Sequence, residues 1–136
     1  MAAVSELIRV EDDGTLSFGD YTKKEKTKKS DFKANGGIYK VKTFNEITRL
    51  ECDDEFVFES DPGTAVFHFL SKDDGVSFEV EGPEDADITV GLEPEAEYDI
   101  VINGTDSGKM KTNLGGKLTI SVELGDKTAK VDIKKA

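Results

Sequence analysis

One histidine, His68, and one cysteine, Cys52, are the only side chains of the types that most readily serve as neutral-pH base and soft nucleophile. His68 lies in "AVFHFL", where alternation places it on one face with Val66 and Leu70, as a core or sheet-face histidine. Cys52 alternates with Leu50, the pattern of an inert buried thiol. A zinc site draws mainly on His and Cys ligands, so with one of each it is not expected here. Carboxylates are abundant, with 29 Asp and Glu. Sugar hydrolysis needs two of them ~5–9 Å apart across the scissile bond, and no pair stands out from so large a set. Glu84, Asp85 and Asp87 in "PEDAD", with Asp73 and Asp74, offer oxygens to calcium. The spacing is not that of an EF-hand loop, and a solvated acidic face is the expectation. We therefore expect no catalytic set, no cofactor and no metal centre.

The stretch "SKDDGVSF", Ser71 to Phe78, resembles the Asp box S-x-D-x-G-x-T-W that sialidases repeat on their propeller blades. Ser77 stands where that motif has Thr, and Phe78 where it has Trp. Physically it is a hairpin device. Asp73 and Asp74 are expected to bond backbone N–H groups two residues on, Gly75 to relax the turn, and Phe78 to pack beneath it. The whole chain also resembles short acidic proteins of anaerobic Firmicutes labelled endosialidase. The resemblance runs from "SELIRVEDDGTLSFG" through "YKVKTF" and "PGTAVF" to "MKTNLGGKLTISVEL". It implies a sialidase-type glycosidase. That family grips the sugar carboxylate with three guanidinium forks, whereas this chain has only Arg9 and Arg49. A propeller also needs several four-stranded blades, which 136 residues cannot supply in sialidase number. The glycosidase reading therefore ranks third.

Period-two alternation runs through nearly the whole chain. In "GKLTISVEL", Leu118, Ile120, Val122 and Leu124 share one face and Thr119, Ser121 and Glu123 the other. Similar runs include "SELIRV", "GTLSFGDY", "GIYKVKTF", "ITRLEC", "EFVFES", "TAVFHFL", "VSFEV", "DITVGL", "YDIVI" and "AKVDIK". That makes about eleven strands, most with one buried and one wet face, as in antiparallel sheets. Turn residues separate them: "DDG" at Asp12–Gly14 and Asp73–Gly75, "NGG" at Asn35–Gly37, and "NG" at Asn103–Gly104. "TAVFHFL" is apolar on both faces and reads as a central strand. "KKEKTKKSDFK", Lys23 to Lys33, breaks the pattern and reads as a solvated loop or an edge. "LEPEAEY" resembles the tyrosine corner of fibronectin type III domains. The resemblance implies that Leu92 enters the core, Pro94 fixes the bend and Tyr98 bonds back to the backbone. The prediction is an all-β, antiparallel β-sandwich: an immunoglobulin-like part over residues 61–136, with additional N-terminal strands over residues 1–60. "SDPG", Ser60 to Gly63, is the expected boundary.

Net charge is −11, which disfavours nucleic acid and anionic membranes as partners. With no secretory leader and no long apolar run, a cytoplasmic location is expected. The charge is unevenly spread. Lys23, Lys24, Lys26, Lys28 and Lys29 crowd into seven residues, while Asp73 to Asp99 holds eleven acidic residues and no basic one. Lysines on an edge deter unwanted strand pairing. They also suit a second copy's acidic face, with Glu84, Asp85 and Asp87 as the acceptors. A contact between two different surfaces of identical chains closes into a ring or runs on as a filament. The expected role is a non-catalytic structural or interaction protein that forms homo-oligomers or filaments. A carbohydrate-binding module is the alternative. It is weakened by the absence of Trp, with Tyr21 and Tyr39 as the only tyrosines outside the corner.

Overall fold

The computed structural model describes residues 4–125 and 127–136. It is an antiparallel β-sandwich with thirteen strands and no helix among the described residues. The strands are β1 (Ile8–Val10), β2 (Leu16–Phe18), β3 (Thr27–Ala34), β4 (Gly37–Thr43), β5 (Thr48–Cys52), β6 (Glu55–Asp61), β7 (Ala65–Lys72), β8 (Gly75–Glu81), β9 (Ala86–Gly91), β10 (Glu97–Ile102), β11 (Thr105–Lys111), β12 (Lys117–Val122) and β13 (Thr128–Lys135). One sheet has the order β1-β2-β7-β8-β13-β10-β11; we call it the seven-stranded sheet. The other, six-stranded, has the order β12-β9-β6-β5-β4-β3. Every neighbouring pair in both is antiparallel.

Residue 60 lies inside β6, and strands from either side of it share both sheets: β2 pairs with β7, and β6 with β9. From β9 onward, β9 pairs with β12, β10 with β13 and β10 with β11. The β6–β7 connection carries the cis Asp61–Pro62 bond and crosses between the sheets.

The alternating residues build one core between the layers. Phe58 of the six-stranded sheet meets Phe18 and Phe78 of the opposite layer edge-on, at centroid distances of 5.3 and 5.6 Å. Phe69 stacks on Phe78 at 5.7 Å. Such ring pairs add about 0.5–1.5 kcal/mol each beyond their buried area. A second, smaller cluster lies on the outside of the seven-stranded sheet, where Val4 and Tyr21 cover Ala65 and Phe67. This explains why β7 is apolar on both faces.

Three hairpins close through two residues at positive φ: Asn35-Gly36, Asp53-Asp54 and Asn103-Gly104. That is the signature of the type I′ turn, whose twist matches the strands it joins. The hairpin of the Asp box look-alike differs. Lys72 pairs with Gly75, and only Gly75 takes positive φ, at 153°. A Cβ at Gly75 would run into the carbonyl oxygen of Ile133.

Candidate functional site: two opposed edges of one sheet

The lysine-rich segment is not a loop throughout. Its second half forms β3, the edge strand of the six-stranded sheet, which among the described residues pairs with β4 alone. Few residues of β3 point into the core, so alternation could not reveal it. A register shift between Lys29 and Phe32, with Asp31 at φ 59°, bends this edge. Lys23, Lys24, Lys26, Lys28 and Lys29 are all exposed. Lys26 lies over the Phe44 ring at 5.9 Å and Lys29 over Phe32 at 5.5 Å. Next to them, Lys28, Lys40 and Lys42 line a groove of about 160 Å³ with Arg49 and Glu51.

At the opposite edge of the same sheet stand β12 and β9. Glu84, Asp85 and Asp87 are exposed there, and Glu123 joins them from the end of β12. Glu123 was invisible as a member of this group, because the β9–β12 register, carried one residue past Val122↔Ala86, is what sets it opposite Asp85. Asp85 accepts the Leu124 N–H at 3.1 Å, and Asp87 accepts the Ser121 hydroxyl at 2.7 Å. Both carboxylates are thereby fixed in place. Among the described residues, none of the five lysines and none of these four carboxylates forms an ion pair. Five strand spacings of ~4.8 Å put the two edges ~24 Å apart, too far to neutralise each other within one copy.

The remaining residues singled out from sequence gather at one end of the sandwich. The Ser71–Gly75 hairpin and the Leu92–Tyr98 segment line a common open cleft of about 510 Å³, with Phe56 and Lys117 on its wall. Tyr98 is buried, and its hydroxyl accepts the Glu93 N–H at 3.2 Å. The corner lies between β9 and β10, so it ties one sheet to the other at their first crossing after residue 86. Leu92 is half-buried at the rim of the core, and Pro94 is exposed. Thr112 closes the corner by donating to the Glu93 carbonyl and accepting the Ala96 N–H. Phe78 belongs to the central aromatic cluster. Among the described residues, neither Asp73 nor Asp74 accepts a backbone N–H from its own turn; Asp74 faces Lys134 at 3.9 Å. Asp73 and Asp74 are at the opposite end of β9 from Asp85, so these acids do not share one site. Among the described residues no His, Cys, Asp or Glu cluster is arranged to hold a metal ion.

His68 lies on an outer sheet face with Leu70, as alternation places it, but does not share that face with Val66. A bulge between Phe67 and Leu70 puts it at φ 54° and breaks the alternation. Val66 stays in the core, while His68 and Leu70 face outward. Its Nδ1 is 3.1 Å from the Thr15 Oγ1 and 3.6 Å from Asp13 Oδ2. Thr15 in turn donates to Asp13 at 2.6 Å, and Ser17 donates to Glu11 at 2.5 Å. The Ser17 hydroxyl, and Arg9 beside it, hold the Glu11 carboxyl below its ordinary range. The Thr15 hydroxyl and N–H do the same for Asp13. With its proton committed to Asp13, Thr15 is no activated nucleophile, and Ser17 is fully buried. Cys52 is half-buried rather than enclosed, and desolvation pushes its thiol up, away from thiolate chemistry.

Compared with family models, curated proteins and solved structures, the chain matches none.

Proposed function

We propose that this is a non-catalytic structural or interaction protein that associates with itself, head to tail, through its lysine-rich edge and its acidic edge. The observation that carries this reading is the placement of Lys23–Lys29 and of Glu84, Asp85, Asp87 and Glu123 at opposite borders of one sheet. Complementary surfaces facing opposite ways cannot close on a two-fold axis, so they build a ring or a filament. Charge matching of this kind sets register and association rate. The non-catalytic part draws support from the arginines. Arg9 is held by Glu6 and Glu11, and Arg49 by Glu51 and Glu59, which leaves no guanidinium cluster for a sugar carboxylate.

Mass by light scattering at low and high salt, with negative-stain imaging, tests the proposal. Oligomers at low ionic strength should shrink toward monomer near 1 M salt, where the screening length falls to ~3 Å. One monomeric mass at every salt and concentration would remove self-assembly.

The 510 Å³ end cleft favours a second reading, a carbohydrate-binding module, because Phe56 offers a ring beside Glu55, Asp73 and Glu93. Lys117 covers that ring at 4.5 Å, and Tyr21 and Tyr39 are both half-buried, so the reading ranks below the first. A glycan array that includes sialosides tests it, and an array without a binder would end it.

A further inference from the structure

We infer that the contact between copies is a strand pairing: β3 of one copy docks antiparallel on β12 of the next, so the six-stranded sheet runs on from molecule to molecule. This inference rests on the self-association reading and adds its geometry. Strand parity is the first argument. Six strictly alternating strands leave β12 and β3 pointing in opposite directions. A copy moved sideways along the sheet therefore presents its β12 antiparallel to β3 with no turning over. The seven-stranded sheet lacks this property. Its edges β1 and β11 run the same way, and a sideways copy would meet them parallel, the less stable pairing. Its edge strand β1 also has only three residues.

Register is the second argument. Lys28, Lys42, Arg49, Glu59, Thr89 and Thr119 form one unbroken row across all six strands. Carried straight into the next copy, the row sets Lys28 against Thr119. Lys26 then meets Ser121, whose hydroxyl is bonded to Asp87, and Lys24 meets Glu123 just past the strand ends. In the other direction Ser30 meets Lys117, with Asp31 next to it in the bulge. Opposite charges thus fall together at both ends of the contact. The alternative symmetric contact, β3 on β3, sets lysine against lysine and is disfavoured.

The test is a disulfide ladder. Lys28→Cys and Thr119→Cys are introduced together, with Cys52→Ser. Within one copy these positions are ~24 Å apart and cannot bond. Across the inferred contact they are directly opposed, with Cα atoms ~4.5–5.5 Å apart, inside disulfide range. Mild oxidation should give a ladder of covalent multimers on a non-reducing gel. Lys33→Cys with Thr119→Cys, in the same background, should cross-link at about a tenth of that yield or less. In a second arm, Glu123→Lys should weaken association about tenfold or more, and adding Lys24→Glu should restore it. Salt-sensitive oligomers that never cross-link through 28 and 119 would overturn the strand pairing but leave self-association standing. A chain that stays monomeric at every salt, before and after oxidation, would overturn both.

Discussion

Glu11 and Asp13, gathered with Thr15 and Ser17 beside His68, form an acid-sensitive pair. The carboxyls of Glu11 and Asp13 are held below their ordinary unfolded values, Glu11 chiefly by the Ser17 hydroxyl and Asp13 by the Thr15 hydroxyl and N–H. Their contribution to stability is therefore complete above those unfolded values and is lost as pH falls through the lower folded ones. Thermal melts between pH 6 and pH 2, buffers chosen on the order of one unit apart, should show this acid limb. Ser17→Ala, which removes the main donor to Glu11, should flatten it while leaving the fold intact. Tyr98 offers a second check at this scale. Tyr98→Phe removes the acceptor of the Glu93 N–H and should cost about 1 kcal/mol in denaturant unfolding. The positions of these two units were unequally legible. "LEPEAEY" announces its own bond, since acceptor and donor lie five residues apart. The His68 cluster joins residues more than fifty apart and depends on a bulge that strict alternation conceals.

At the level of strands and turns, alternation located the elements that bury one face and missed those that bury little. β12 and β13 read cleanly because Leu118, Ile120 and Val122, then Ala129, Val131 and Ile133, all enter the core. β11 is exposed along its whole length and carries Gly108, so nothing in "TDSGKMK" signals a strand except the Asn103-Gly104 turn before it. β3, read from sequence as a loop or an edge, is the edge strand, and its few core-facing residues are why alternation could not choose between the two. The β6–β7 crossing, read from "SDPG" as a boundary, is a buried polar knot. Thr48 donates to the Thr64 carbonyl at 2.8 Å and accepts the Thr64 N–H at 3.0 Å. Thr43 bonds the Thr48 hydroxyl, and Ser60 bonds that of Thr64, each at 2.8 Å. Thr48→Val keeps the shape but leaves the Thr64 N–H and carbonyl without these partners. A loss of about 3 kcal/mol in urea unfolding is expected, against less than about 1 kcal/mol for an exposed change such as Thr119→Val.

Taken whole, the molecule is one aromatic-centred core between two sheets with open edges. Phe58 touches Phe18, Phe69 and Phe78 across the layers. Phe58→Ala should therefore cost about 3–5 kcal/mol by equilibrium unfolding, with both halves of the chain lost in one transition. The charge groups were legible as runs, but their relation was not. Five lysines in seven residues mark a cationic patch in any fold. That the patch borders the same sheet as Asp87 and Glu123, on the far side, depends on strand order, which no local pattern encodes. The proposed head-to-tail association gives each copy two unlike ends. Mixing two one-sided variants measures this most directly. One carries Ser at 23, 24, 26, 28 and 29; the other carries Asn or Gln at 84, 85, 87 and 123. By sedimentation each should be monomeric alone, and the mixture should form a 1:1 dimer and nothing larger. A mixture that stays monomeric while the unmodified protein assembles, or a single variant that still builds long oligomers, would contradict head-to-tail association through these edges.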